Sequence, residues 1–336
     1  MITNPLGFAG RTHQTARTRH GWSKALQLAP DLYPGVGGKR FRAILLQQAY
    51  AFAGGQGAAP AAIVDAVEML HAGSLVLDDF EDGSQTRRKQ PALHTVVGPA
   101  RAVNAGNWMY FRALELAGNA FADPARSAAV LRRFIEVARQ CHEGQAIDLS
   151  TRIDEVTPRQ AWVTALAISR WKTGRLVSLA AWCGAHAAAG DPNTLRAVAA
   201  FGCRVGVCLQ MKNDLDELVD FVGGAERYDD LRNRRVTWPW AWAADRLPRD
   251  GFAALQRRLA DPHADPDSLR PLAGELLGAT KESAASAIHK RLQRARDLLA
   301  ATTDGGTGAG LAEVTEILQV AVQPAALRQT AAEATR

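Results

Sequence analysis

SLVLDDFEDGSQTRRKQPALH, residues 74–94, closes an apolar run on Asp78, Asp79, Glu81 and Asp82 and then turns basic at Arg87, Arg88 and Lys89. Apolar residues recur at three- and four-residue steps from position 60, which predicts a helix over 60–82. On that helix Asp78 and Asp82 lie one turn apart on one face, with Asp79 beside them. Like charges at that spacing repel, and acids at a helix C-terminus oppose its dipole. Either this is a solvated helix end, or a hard cation relieves the repulsion. Mg²⁺ takes one or two carboxylates and completes its shell with waters and phosphate oxygens. Gly83 is placed to stop the helix and deliver Arg87 and Arg88 on the exit loop.

A second stretch repeats the pattern. GCRVGVCLQMKNDLDELVD, 202–220, is another apolar helix, and it carries Asn213, Asp214, Asp216 and Glu217. Asn213 and Glu217 are again one turn apart. Two acid clusters on otherwise apolar helices are expected to face each other across a cavity, bridged by a metal-bound diphosphate. GVGGKRFR, 35–42, sets Lys39 and Arg40 at a helix N-terminus, where backbone N–H groups favour an anion. His71 lies seven residues before Asp78, two turns along the same face. Lys172 and Thr173 sit mid-helix in WKTGRL, where a lysine is costly unless paired or reaching outward.

The wider pattern is helical throughout. Spans 41–53, 60–82, 100–120, 125–148, 158–189, 193–222 and 279–302 read as helices. Gly- and Pro-containing breaks at 54–60, 122–126, 189–193 and 304–310 separate them. The expectation is one all-α domain, a helical bundle with its core at about 20–303 and a C-terminal helix with polar tail at 309–336. With 336 residues and 47% hydrophobic content the chain can bury a large core. The net charge of +6 admits an anionic partner, but no aromatic-interleaved basic stripe points to nucleic acid. The four cysteines lack metal spacing and read as buried thiols of a reducing compartment. Neither a secretory leader nor a membrane span is expected, which places the protein in the cytoplasm.

Taken in order, GGKR at 37–40, the 71–94 stretch, GQAIDL at 144–149, KTG at 172–174, 201–217 and DLRNRRVTWP at 230–239 resemble the trans-isoprenyl diphosphate synthases, the polyprenyl synthetase family. The resemblance covers about residues 33–245. It implies an isoprenoid-synthase-type all-α bundle around a deep central cavity, assembled as a homodimer. By position, Asp78, Asp79 and Asp82, with Asn213, Asp214 and Glu217 opposite, would bind Mg²⁺. Arg87, Lys172, Thr173 and Gln210 match positions that hold the allylic diphosphate. Lys39, Arg40, His71 and Arg88 match those that hold isopentenyl diphosphate. Asp78, Asp82, Lys172 and Asp214 would carry the catalysis.

There are departures. Asn213 and Glu217 stand where the family has Asp, and Asn107 follows a glycine where Asp is common. No lysine occurs between 218 and 229, and Arg234-Arg235 replaces Gly-Lys, leaving Arg235 to serve as a phosphate contact with altered reach. A class I terpene cyclase would need Ser or Thr at 217 and Glu at 221, where this chain has Glu217 and Phe221. A regulatory subunit that has lost activity is the other alternative, motivated by the altered second cluster.

Product length follows from helix pitch, since one turn rises about 5.4 Å, comparable to one isoprene unit. One turn below Asp78 are Gly73 and Ser74, both small, with the bulkier Leu70 and Val67 deeper. Trp108, Met109 and Tyr110 are expected to form a floor. That arrangement favours geranylgeranyl diphosphate, with farnesyl diphosphate next.

Overall fold

Gly184 shows how tightly the helices pack: a methyl group added to it would stand 2.0 Å from the carbonyl oxygen of Leu46. The computed structural model describes residues 40–87, 90–222, 229–260 and 266–301. Lys39, Arg88, the start of the expected core and the helix and tail expected at 309–336 lie outside the described residues. Helix α1 spans Phe41–Phe52 and α2 spans Ala61–Glu81. A two-residue hairpin follows, β1 Thr86–Arg87 against β2 Gln90–Pro91. Next come the short α3, Leu93–Val97, then α4, Pro99–Gly118, and α5, Pro124–Ser150. After a 3₁₀ turn at Ile153–Glu155 runs α6, Pro158–Ile168. A π-helical segment, Ser169–Gly174, leads directly into α7, Arg175–Ala187. The long α8, Pro192–Val222, is followed by α9, Asp229–Arg232. α10 (Trp238–Arg246), α11 (Arg249–Leu259) and α12 (Pro266–Ala300) complete the bundle.

The expected helices at 41–53, 60–82, 100–120, 125–148 and 193–222 match α1, α2, α4, α5 and α8 to within two residues. Three expectations need correction. The single helix at 158–189 is three pieces, because the π segment inserts a wider turn at 169–174. The last helix begins at Pro266 rather than 279 and carries Pro271 inside it. Helices α10 and α11 are additional: three aromatic or proline residues in TWPW obscured the period, yet Trp238 and Trp240 are fully buried.

Glycines let the backbones approach. Gly206 of α8 faces Gly174, and a Cβ on Gly206 would lie 2.7 Å from the Gly174 Cα. This contact draws α8 against the π segment. Gly73 of α2 faces α4, where a Cβ would stand 3.0 Å from the Gly106 oxygen and 3.1 Å from Met109 Cβ. The main apolar core runs along α6, α8, α10 and α12, with Phe201, Trp238, Trp240 and Phe252 at its centre. A second core joins α1, α2, α4, α5 and α7 around Leu46, Ile63 and Phe134. Between these cores the helices enclose a cavity. No helix among the described residues is long and apolar enough to cross a membrane.

Candidate active site

Gly83 adopts φ +69°, the left-handed conformation glycine reaches without penalty. It completes a Schellman cap: Ser84 N–H donates to the Asp79 carbonyl at 2.9 Å and Gly83 N–H to that of Phe80 at 3.2 Å. The cap reverses the chain into β1, which returns Arg87 over the helix end. Asp78 and Asp82 then point into a cavity of about 870 Å³. Asn213, Asp214, Asp216 and Glu217 of α8 line the same cavity. The two acid clusters therefore share one pocket, as their sequence pattern suggested.

Cations are set between them. Lys172 Nζ lies 2.7 Å from Asp78 Oδ1 and 3.0 Å from Asp148 Oδ2. Arg42, His71 and Arg87 also line the wall. Thr173 Oγ1 donates to Gln210 Oε1 at 2.5 Å, and Gln210 Nε2 donates to Asp214 Oδ1 at 2.7 Å. The second Asp214 oxygen accepts from the Trp238 N–H at 2.9 Å. A continuous relay thus fixes Asp214 from the π segment on one side and from α10 on the other. Deeper in, Leu70, Ser74, Tyr110, Ala138 and Leu176 give the pocket an apolar lower wall.

Some expected site residues lie elsewhere. Asp79 is fully buried and off the cavity wall. One position along a helix rotates a side chain by about 100°, and that turns Asp79 away from the cavity, where it accepts from the Arg87 Nε at 2.8 Å. It orients Arg87 and is not placed to hold a metal in the cavity. Gly73 faces α4 and not the cavity, so of the small pair only Ser74 lines the channel. Arg40 is exposed, with φ 43°, and off the wall; Arg42, two residues on, lines it instead. Arg235 is buried beneath the site, donating to Asp82 Oδ1 at 2.6 Å and to the Asp148 carbonyl at 2.8 Å. It positions Asp82 and does not line the pocket. Val67, Met109 and Trp108 belong to the helix packing, so of the expected floor Tyr110 alone lines the cavity.

Sequence reasoning missed Glu81, Gln145, Asp148, Asp229 and Asp230, all on the cavity wall. Gln145 Nε2 donates to Glu81 Oε2 at 2.8 Å. Ser84 Oγ donates to Asp229 Oδ2 at 2.6 Å, and Asn233 Nδ2 to the Asp82 carbonyl at 3.0 Å. The ends of α2 and α9 are thus stitched together. The three-residue step from Gln145 to Asp148 within GQAIDL was the available signal.

The charges are far from balanced. Burial pushes Asp82 up to about 6, with the Asp78 charge adding to it and Lys172 and Arg235 opposing. Burial likewise carries Asp214 to about 7, against the Trp238 and Gln210 hydrogen bonds. Asp230 is raised well above 3.8 by burial and then by Glu217 and Asp214. Asp78 behaves oppositely: burial raises it, but Lys172 and Arg87 outweigh that and hold it ionised. Among the described residues no three His, Cys, Asp or Glu side chains make a ready-made metal cage. The donor set nonetheless fits a divalent ion, because Mg²⁺ needs only one or two carboxylates beside phosphate oxygens. Carboxylates driven toward protonation by burial, with neighbouring carboxylates adding to it, are groups that a cation would stabilise.

Residues 24–273 match the polyprenyl synthetase family model. The chain belongs to that family. It is 32% identical over 252 residues, 73% of this chain and 66% of the relative, to the (2E,6E)-farnesyl diphosphate synthase of Mycobacterium tuberculosis. It is 32% identical over 206 residues to the geranylgeranyl pyrophosphate synthase of Eremothecium gossypii, covering 60% of this chain and 64% of that one. The match therefore spans less than two thirds of that relative. The polyprenyl synthase of Caulobacter crescentus, solved with calcium and isoprenyl diphosphate, superimposes with TM-score 0.73 at 22% identity, covering 93% of this chain and 99% of that one. That likeness establishes the isoprenyl-synthase fold, as the sequence pattern led us to expect.

Proposed function

We propose that the cavity is the active site of an Mg²⁺-dependent prenyltransferase that joins isopentenyl diphosphate to an allylic diphosphate. The observation carrying this reading is the placement of Asp78 and Asp82 across one pocket from Asp214 and Glu217, with Lys172 and Arg87 between and an apolar wall below. Mg²⁺ held with the allylic diphosphate by Asp78, Asp82, Asp214 and Glu217, with Asn213 at the rim, would neutralise charge on the departing group. Lys172, Arg87, Thr173 and Gln210 bind the same diphosphate and stabilise the negative charge that grows as the allylic C–O bond breaks. Arg42 and His71 on the wall, with Lys39 and Arg88, hold isopentenyl diphosphate. Its double bond attacks the allylic carbon to form the new C–C bond, and the released diphosphate takes the proton lost as the new double bond forms. Leu70, Tyr110 and Leu176 keep water from the cationic carbon.

Geranylgeranyl diphosphate is the main product. Ser74 leaves the channel open one turn below Asp78, and Leu70 and Tyr110 restrict it further down. A homodimer is the assembly, supported by Phe111 and Ile135, which stand 69% and 50% exposed on the adjacent helices α4 and α5. The four unpaired cysteines accord with a cytoplasmic location. The test is to supply purified protein with Mg²⁺, isopentenyl diphosphate and dimethylallyl, geranyl or farnesyl diphosphate. Chains of twenty carbons are expected. Products of ten or fifteen carbons only would refute the length assignment, and cyclisation of an allylic substrate alone would refute elongation.

A further inference from the structure

A second cavity, of about 650 Å³, opens on the other face of α7 and the π segment, between α5, α8 and α12. Among the described residues six arginines line it, Arg133, Arg170, Arg175, Arg196, Arg204 and Arg291, and no aspartate or glutamate does. Arg170 and Arg196 stand at the exposed rim, and the other four are half-buried. Among the described residues only Arg133 of the six pairs with a carboxylate, Glu136 Oε2 at 3.0 Å, which lies off the wall. Arg204 donates to the Ala200 carbonyl at 3.3 Å, and Arg196 to the Asn193 side chain. Arg133, Arg175 and Arg291 lie 5.8, 5.9 and 5.7 Å from the rings of Trp182, Trp171 and Trp238. The Nε atoms of Arg133 and Arg175 are buried without a hydrogen-bond partner. Burial and the neighbouring Arg294 and Arg204 charges lower the Arg291 guanidinium below its ordinary value.

Guanidinium groups stay charged at every accessible pH. Gathering them without acids concentrates positive potential in a low-dielectric hollow. Their planar forks match phosphate oxygens in bidentate pairs. The volume suits a small molecule and not a polymer. We propose that this pocket is a second anion site, one that binds a diphosphate group without a metal. The first cavity mixes carboxylates with cations and calls for a divalent ion; here no carboxylate among the described lining residues repels the anion. Leu166, Trp182, Leu195 and Val207 add apolar wall, so the group is either free inorganic diphosphate or the head of a prenyl diphosphate.

The test is equilibrium dialysis of labelled inorganic diphosphate against the full chain in EDTA, which does not depend on turnover. The variant Arg204→Gln/Arg291→Gln is expected to lose one bound equivalent per chain, whereas Arg87→Gln, altered in the first cavity, retains it. Should the double variant fold poorly, Arg204→Gln alone is expected to weaken that equivalent at least tenfold. Displacement of the label by farnesyl diphosphate at lower concentration than unlabelled inorganic diphosphate identifies the prenyl head group as occupant; the reverse order identifies the free anion. Unchanged binding in the arginine variants overturns the proposal. So does displacement by sulfate, at equal ionic strength, as effective as that by diphosphate.

Discussion

Lys172 bridges Asp78 and Asp148, its Nζ 2.7 Å from one and 3.0 Å from the other, although the three residues come from three different helical segments. Burial alone would favour the neutral amine, but Asp78, Asp148 and Asp82 raise its pKa well above 10.5. The π segment makes this possible, since its wider turn directs Lys172 and Thr173 into the pocket while Gly174 meets α8. Replacing Lys172 by methionine keeps the length of the stem and removes the charge. On the proposed chemistry kcat falls about 10²- to 10³-fold, the scale of losing one preorganised charge-stabilising donor. Steady-state kinetics with saturating isopentenyl diphosphate check it; a loss below fivefold would remove Lys172 from the mechanism.

Arg235 and Asp82 form a largely buried ion pair at the site, their side chains 9% and 18% exposed. Removing one partner of a buried pair costs about 3–5 kcal/mol, and Arg235 also holds the Asp148 carbonyl. Arg235→Gln is therefore expected to lower Tm and to raise the Mg²⁺ concentration needed for half-maximal rate. Arg235→Lys should recover part of the metal dependence, because an ammonium restores the charge but not the two-pronged geometry. A purely structural role would lower Tm and leave the metal requirement unchanged.

On the proposed reading Ser74 and Tyr110 are the levers on chain length. Ser74→Phe is expected to fill the channel one turn below Asp78 and shift product toward fifteen carbons. Tyr110→Ala, on the opposite wall, is expected to lengthen it. Chromatography of hydrolysed products reads both, and an unchanged distribution in either variant refutes its part of the ruler.

Acidity supplies a further test, with its sign fixed by linkage. Asp82 and Asp214 titrate near 6 and 7 in the folded chain against about 3.9 unfolded. The folded state then holds more protons between about pH 4 and 7, and the stability from these groups is lost as pH rises through that window. Metal-free protein should thus gain less stability from this site at pH 8 than at pH 5.5. Mg²⁺ with inorganic diphosphate should raise Tm more at pH 8, where both carboxylates are ionised. Thermal melts at the two pH values, with and without Mg²⁺ and diphosphate, decide it.

Asp78 and Asp82 were legible because a helix repeats every 3.6 residues, so residues four apart share a face whatever surrounds them. The same rule placed Leu70 and Ser74 on the channel and His71 beneath Asp78. By the same rule Asp79 and Gly73 turn away from that face. Asp148 and the Asp229-Asp230 pair could not be found that way, since neither repeats an acid one turn along its own helix and the meaning of each depends on a helix distant in the chain. The π turn at 169–174 was equally hidden, because nothing in SRWKTG separates a wider turn from an α turn, and the contact of Gly174 with Gly206 marks the place.

Local periodicity, charge spacing and glycine stops, all written along the chain, determined that this protein is a helical bundle with two acid-bearing helices. Tertiary structure alone decided which carboxylates meet Lys172, that Arg235 supports Asp82 from below, and that six dispersed arginines share one hollow. The physical reason is that periodicity acts over one or two turns of a single helix. Electrostatic partners across a cavity are chosen by how separate helices pack, and that choice rests on glycines and core side chains far from the charges they bring together.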